Sequence, residues 1–168
     1  MFRTQKKLAE KAMAQVSDAN LRLALDADTN SIAVIAKHMA GNMVSRWTDF
    51  LTSDGEKPWR NRDGEFIDDF PRPPNTKSRE EIMATWERGW KVLFDTMNSL
   101  KPEDLEKAVK IRGEAHSVMR AIVRQIDHYG YHIGQIVLIA RVLAGEKWDV
   151  LSIPRGGSEE YNRRVWKK

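Results

Sequence analysis

The chain carries four histidines and no cysteine, and two of the histidines, His128 and His132, stand four residues apart in the string HYGYH. On a helix that spacing puts both side chains on one face with Cβ atoms about 5–6 Å apart, so two imidazoles can converge on one cation at about 2.0–2.1 Å. Two ligands do not make a site. His38 is the natural third, because it lies in another strongly periodic segment, one turn from Val34 and Asn42 and beside Ile35 and Met39. His116 precedes His128 by twelve residues, about 18 Å along a continuous helix, which excludes it unless the helix breaks between them. Three neutral imidazoles leave coordination positions for water or substrate, the pattern of a catalytic metal centre and not of a closed structural one. The spacing is also read as core histidines satisfied by carbonyls or hydroxyls. Tyr129 stands where zinc proteases carry a glutamate, which sets that chemistry aside.

The neighbours of the histidines extend the pattern. Gln125 and Gln135 lie one turn outside the pair and can orient the ligands from behind. Asn42 and Arg46 follow His38 by four and eight residues, where they can line a pocket or hold a substrate carboxylate; for Arg46 a bridge to Asp49 or to the following loop is the alternative. Gly130 and Gly134 each cost a helix interior about 1 kcal/mol, which implies close approach of a neighbouring helix or space above the site.

Apolar periodicity predicts the elements that must position these groups. Helices are expected over residues 4–15, 31–51, 78–100 and 115–144, with a short turn at 17–25. The second is read as amphipathic, with Ile32, Ile35, Met39, Met43, Trp47 and Phe50 on its buried stripe. Ser78 to Glu81 resembles a capping box, and Gly145 is a C-terminal stop. Residues 52–77 break the pattern with Asp-Gly pairs, prolines and mixed charge, and their aromatics Trp59, Phe66 and Phe70 favour a packed, lid-like crossover. Residues 145–168 form a tail whose Pro154-Arg155-Gly156-Gly157 cannot be helical throughout. No strand is expected. The reading is a single all-α domain over residues 1–168, a four-helix bundle with a long crossover between its second and third helices.

Composition narrows the function classes. In 168 residues, 28 basic against 24 acidic side chains leave a net charge of +4, with the signs interleaved as on solvated helix faces. The locally basic stretches Lys107 to Arg112 and Arg163 to Lys168 lack the interleaved aromatics of a single-strand binder, so no nucleic acid is expected. No apolar run approaches the roughly 20 residues of a membrane span, and residues 1–15 carry no secretory pattern, so no membrane and a cytoplasmic location are expected. Without cysteine, disulfides and thiolate ligands are excluded.

A histidine in the second long helix followed much later by HYGYHIGQI resembles the DinB/YfiT-like superfamily of metal-binding four-helix bundles, over the whole length. More narrowly, NSIAVIAKHMAGNMVSRWTDF (30–50), DGEKPWRNRDGEF (54–66), Ile111 to Gly113 and LSIPRG (151–156) resemble one bacterial branch known as a domain of unknown function. The resemblance implies an up-down-down-up bundle, a divalent ion (Zn, Ni, Fe or Mn) on His38, His128 and His132, and a homodimer. Some relatives in that superfamily resemble small-thiol S-transferases, which implies a low-molecular-weight thiol co-substrate, here held by Asn42, Arg46, Lys57, Arg60 and Arg62. Others resemble metal-dependent hydrolases, for which Asp127 or Asp63 would be the base. A non-catalytic, metal-stabilised binding module is the third reading.

Overall fold

The computed structural model describes residues 1–71 and 78–166. Among these the chain forms helices α1 (Phe2–Met13), α2 (Asp18–Leu21), α3 (Ile32–Trp47), α4 (Ser78–Ser99), α5 (Val118–Ala144) and α6 (Ser158–Trp166), and strands β1 (Ala108–Ile111) and β2 (Glu114–Ser117). The fold is mostly helical with one small hairpin. Three helix starts share a device: the hydroxyls of Ser17, Ser31 and Ser117 accept from the backbone N–H of Asn20, Val34 and Arg120, satisfying donors that have no partner inside the helix. Gly145 ends α5 with φ +57°.

Helix α3 is the centre of the molecule. It packs on α4 and α5, while α1 packs on α5. All of its residues except Lys37, Gly41 and Val44 are buried, so it is enclosed nearly all round and is not the one-sided amphipathic helix the periodicity predicts. Its close contact with α4 depends on a glycine: a Cβ on Gly89 would lie 2.7 Å from the Cα of Ala40. Its Met39, Met43 and Trp47 form the core together with Ile82, Trp86, Trp90, Leu93 and Tyr129. This burial has a consequence for function, because His38, Asn42, Ser45 and Arg46 go into the interior with the apolar stripe. Each then needs a partner.

The hairpin corrects the expectation that no strand is present. β1 and β2 pair antiparallel with Val109 opposite His116 and Ile111 opposite Glu114. Arg112 and Gly113 both have positive φ (+55° and +79°), as a two-residue turn matched to strand twist requires. The carboxylate of Asp54 accepts from the backbone N–H of Arg112 (2.8 Å) and Gly113 (2.7 Å), and Gly55 N–H donates to the Lys110 carbonyl at 2.8 Å. The crossover and the hairpin are therefore stitched together. Helix α5 consequently begins at Val118 and not at 115, and His116 sits on β2, so its exclusion from the histidine cluster follows from the strand and not from distance along a helix.

Other boundaries also differ. Helix α3 stops at Trp47, four residues before the expected end. Ser78, the expected cap, is instead the first residue of α4; the position before it lies outside the described residues, with the rest of the last six residues of the expected crossover, 72–77. Within the crossover, Asp63–Phe66 forms a 3-10 turn; Phe70 is buried and Trp59 is exposed. The tail is part helix, through α6. Among the described residues no helix is long and apolar enough to cross a membrane.

Candidate metal centre

Helix α3 contributes His38, and α5, packed against it, contributes His128 and His132 from successive turns of one face. One ligand atom from each of the three lies within 4.8 Å of the others, and the ring centroids are 4.7–5.6 Å apart. The three residues could hold a metal ion.

Hydrogen bonds select the nitrogen that each ring presents. Nδ1 of His38 donates to Oε2 of Glu65 at 2.9 Å, and Nδ1 of His132 donates to Oε1 of Gln135 at 2.9 Å. Both partners accept, so each Nδ1 carries a proton, which leaves Nε2 as the nitrogen that can face a cation. Nδ1 of His128 is buried with no hydrogen-bond partner among the described residues. Burial, with the neighbouring His132, His38, Arg46 and Arg60 adding to it, pushes His128 down to about 3. His132 is also lowered, by burial first and by His38, against the opposing bond from Gln135. Both rings are neutral at pH 7, the form a cation needs. This donor set fits a divalent ion: three convergent imidazoles, two with Nδ1 held by an acceptor, and an orphaned ring nitrogen.

Glu65 is the supporting residue that sequence reasoning missed. It sits on the 3-10 turn of the crossover, buried, and is clamped by Arg60 through Nε to Oε1 and Nη2 to Oε2, both at 2.7 Å. Burial raises its pKa, but the hydrogen bonds from Arg60 and His38 outweigh that and hold it below the usual carboxylate value. The carboxylate can lie against α3 because residue 41 is glycine; a Cβ there would stand 2.6 Å from Glu65 Cδ. A carboxylate behind a ligating histidine fixes the ring and raises its basicity. Phe66, next in the chain, stacks on His38 with centroids 4.6 Å apart.

The histidines face a cavity of about 260 Å³. Asn42, Arg46, Arg60, Arg62 and Gln125 line it too, and so do Arg112 and Arg124, which were not anticipated. Arg124 precedes His128 by one turn, a signal that was available; Arg112 is delivered by the unforeseen hairpin. Several of the expected substrate contacts have other partners. Arg60 spends its donors on Glu65 and, through Nη1, on Glu56 at 3.2 Å. Asn42 Oδ1 accepts from Tyr129 Oη at 3.1 Å, and that hydroxyl accepts from Trp47 Nε1 at 3.0 Å. Arg62 is exposed, 5.5 Å from the Phe66 ring centroid. Arg46 approaches Glu56 of the crossover (3.7 Å), the loop alternative and not Asp49. Lys57 donates to the Asp54 carbonyl and does not line the cavity. Gln135 is behind His132 and outside the cavity, and Gln125 Oε1 has no hydrogen-bond partner among the described residues. Asp63 and Asp127 are exposed; among the described residues no carboxylate lines the cavity.

A family model described as "Protein of unknown function (DUF1572)" matches residues 1–157. The chain belongs to this family. The DUF1572 match includes the three histidines, Glu65 and every arginine of the cavity, and ends before α6. No curated protein and no solved structure matches the chain.

Proposed function

We propose that this DUF1572 protein is a divalent-metal-dependent enzyme of the DinB/YfiT-like type that transfers a small anionic thiol to an electrophile. The observation that carries the reading is the combination in one cavity of three convergent imidazoles with five arginines and, among the described residues, no carboxylate. His38, His128 and His132 would hold a divalent ion, which when bound would supply Lewis acidity and lower the pKa of a coordinated thiol. In the transfer, the sulfur forms a bond to the electrophilic carbon, the leaving group departs with its electron pair, and the thiol proton passes to solvent. The chain's own groups do the rest. Glu65 and Gln135 hold two rings with their free nitrogens inward, Phe66 shields His38, and Arg46 and Arg62, with Asn42, face the anionic parts of the thiol while Arg60 braces Glu65.

Hydrolysis is the weaker reading, because Asp63 and Asp127, the bases it would use, are exposed and do not line the cavity. The cavity volume supports a reaction on one small group, being below the roughly 300–1,000 Å³ of pockets that enclose whole drug-sized ligands; most of a thiol cofactor would lie outside it. We further propose that α1, α3, α4 and α5 are the four helices of an up-down-down-up bundle, and that a second copy covers Met119, Val123, Leu138 and Val142, exposed along α5. The functional test is a screen of metal-loaded protein with low-molecular-weight thiols and electrophiles. Conjugation that disappears in His132→Ala is expected. Turnover with water alone and no thiol requirement would replace transfer with hydrolysis.

A further inference from the structure

Arg46 is buried to 3% exposure on α3, an unusual place for a guanidinium. Its nearest carboxylate oxygen, Glu56 Oε2, is 3.7 Å from Nη2, and its Nε and Nη1 have no hydrogen-bond partner among the described residues. The crossover is shaped to hold it: a Cβ on Gly55 would stand 2.6 Å from Nη1. Buried charge is kept in proteins when it is paired and hydrogen-bonded, and here the pairing is incomplete. Glu56 cannot complete it, because it also meets Arg60 at 3.2 Å and Arg112 at 3.3 Å. Glu65 is taken by Arg60 and His38. The cavity wall therefore sets five guanidiniums, of Arg46, Arg60, Arg62, Arg112 and Arg124, against two carboxylates behind it.

We propose that Arg46, with Arg124 and Arg112 at the rim, is a built subsite for one oxyanion group, a carboxylate or a phosphate, of the substrate or co-substrate. A pair of oxygens on one centre, as a carboxylate or a phosphate offers, matches the paired donors of a guanidinium. Arg60 is outside the subsite because its donors are committed. The subsite lies in the same cavity as the histidines, so the molecule it takes presents its anionic end to Arg46 and its reacting end to His38, His128 and His132. The inference takes its cavity from the proposed function but needs no thiol and no bound metal, so the two are tested apart.

The test uses metal-free, chelator-treated full-length protein, titrated calorimetrically with inorganic phosphate and, separately, with malonate, at low and high sodium chloride. Saturable one-site binding of at least one probe is expected, weakening as salt screens the charges. Arg46→Gln should lower that affinity about tenfold or more, the loss expected for a charge-assisted hydrogen bond. Because a buried substitution can disturb folding, Arg124→Gln, at an exposed position, is the second variant and should weaken binding about threefold or more. The tighter probe tells carboxylate from phosphate. Absence of saturable binding by either probe to folded protein, or affinity unchanged in both variants, overturns the subsite. A parallel zinc titration reads the metal proposal alone: protein that binds phosphate and not zinc retains the subsite and loses the metal centre.

Discussion

Oε2 of Glu65 lies 2.9 Å from Nδ1 of His38, and the same carboxylate is gripped on both oxygens by Arg60. A metal-ligand candidate on the central helix is thus tied to the crossover that roofs the cavity. The bond works in two directions: the crossover fixes the His38 ring, and the ring fixes the crossover.

The first prediction concerns that bond. Glu65→Gln keeps the side-chain shape but removes the charge, and should weaken divalent-metal binding about 10–100-fold, the usual effect of losing a partner behind a ligating histidine. Competition with a chromophoric chelator measures it. Affinity equal to that of the unaltered protein would mean that Glu65 serves only the loop.

Gly41 gives a second route to the same relationship. A methyl group at this position would collide with the Glu65 carboxylate, whose Cδ would lie 2.6 Å from it. Gly41→Ala should displace Glu65, lower stability by about 1–3 kcal/mol as overpacking does, and reduce metal affinity in parallel. Urea denaturation with the chelator assay checks both; a variant destabilised without any loss of metal affinity would uncouple the glycine from the site.

How much of this was legible in the sequence depends on the kind of contact involved. His128 and His132 were legible because helical spacing alone puts them on one face, and His38 because its helix had to turn an apolar side to the same core. Glu65 was not, since its partners are 5 and 27 residues away across a loop whose path no periodicity describes. The hairpin was hidden for a different reason. Its strands are four residues each, AVKI and EAHS, and its Arg112-Gly113 turn lacks the Asn-Gly or Asp-Gly signal. The enclosure of α3 was likewise hidden, because burial of its polar residues Asn42, Ser45 and Arg46 rests on partners from elsewhere in the chain.

The metal-free protein should lose stability as pH falls from 7 toward 4. His128 is held at about 3 and His132 is lowered as well, so below about 6.5 the unfolded chain binds protons that these folded sites refuse. Glu65, also lowered, adds to the loss below its ordinary value of 4.5. Each group contributes a slope of at most about 1.4 kcal/mol per pH unit, less where solvent reaches the half-buried rings. Above pH 7 both histidines are neutral in either state and contribute nothing. Urea midpoints of chelated protein across this range test the sign; a midpoint that rises on acidification would contradict it.

Asn42 has a structural duty to the Tyr129 hydroxyl, itself bonded to Trp47. Asn42→Ala leaves that buried hydroxyl without its acceptor and should cost about 1–3 kcal/mol. Denaturant midpoints give the value, and an unchanged midpoint would free Asn42 for a purely substrate-facing role.

The most direct measurement is the metal content of protein purified without a histidine tag, determined by elemental analysis beside His128→Ala and His132→Ala. One divalent ion per chain, lost from both variants, is the predicted result. Folded protein that neither retains a divalent ion nor takes one up when zinc, nickel, iron and manganese are offered in turn would contradict the account.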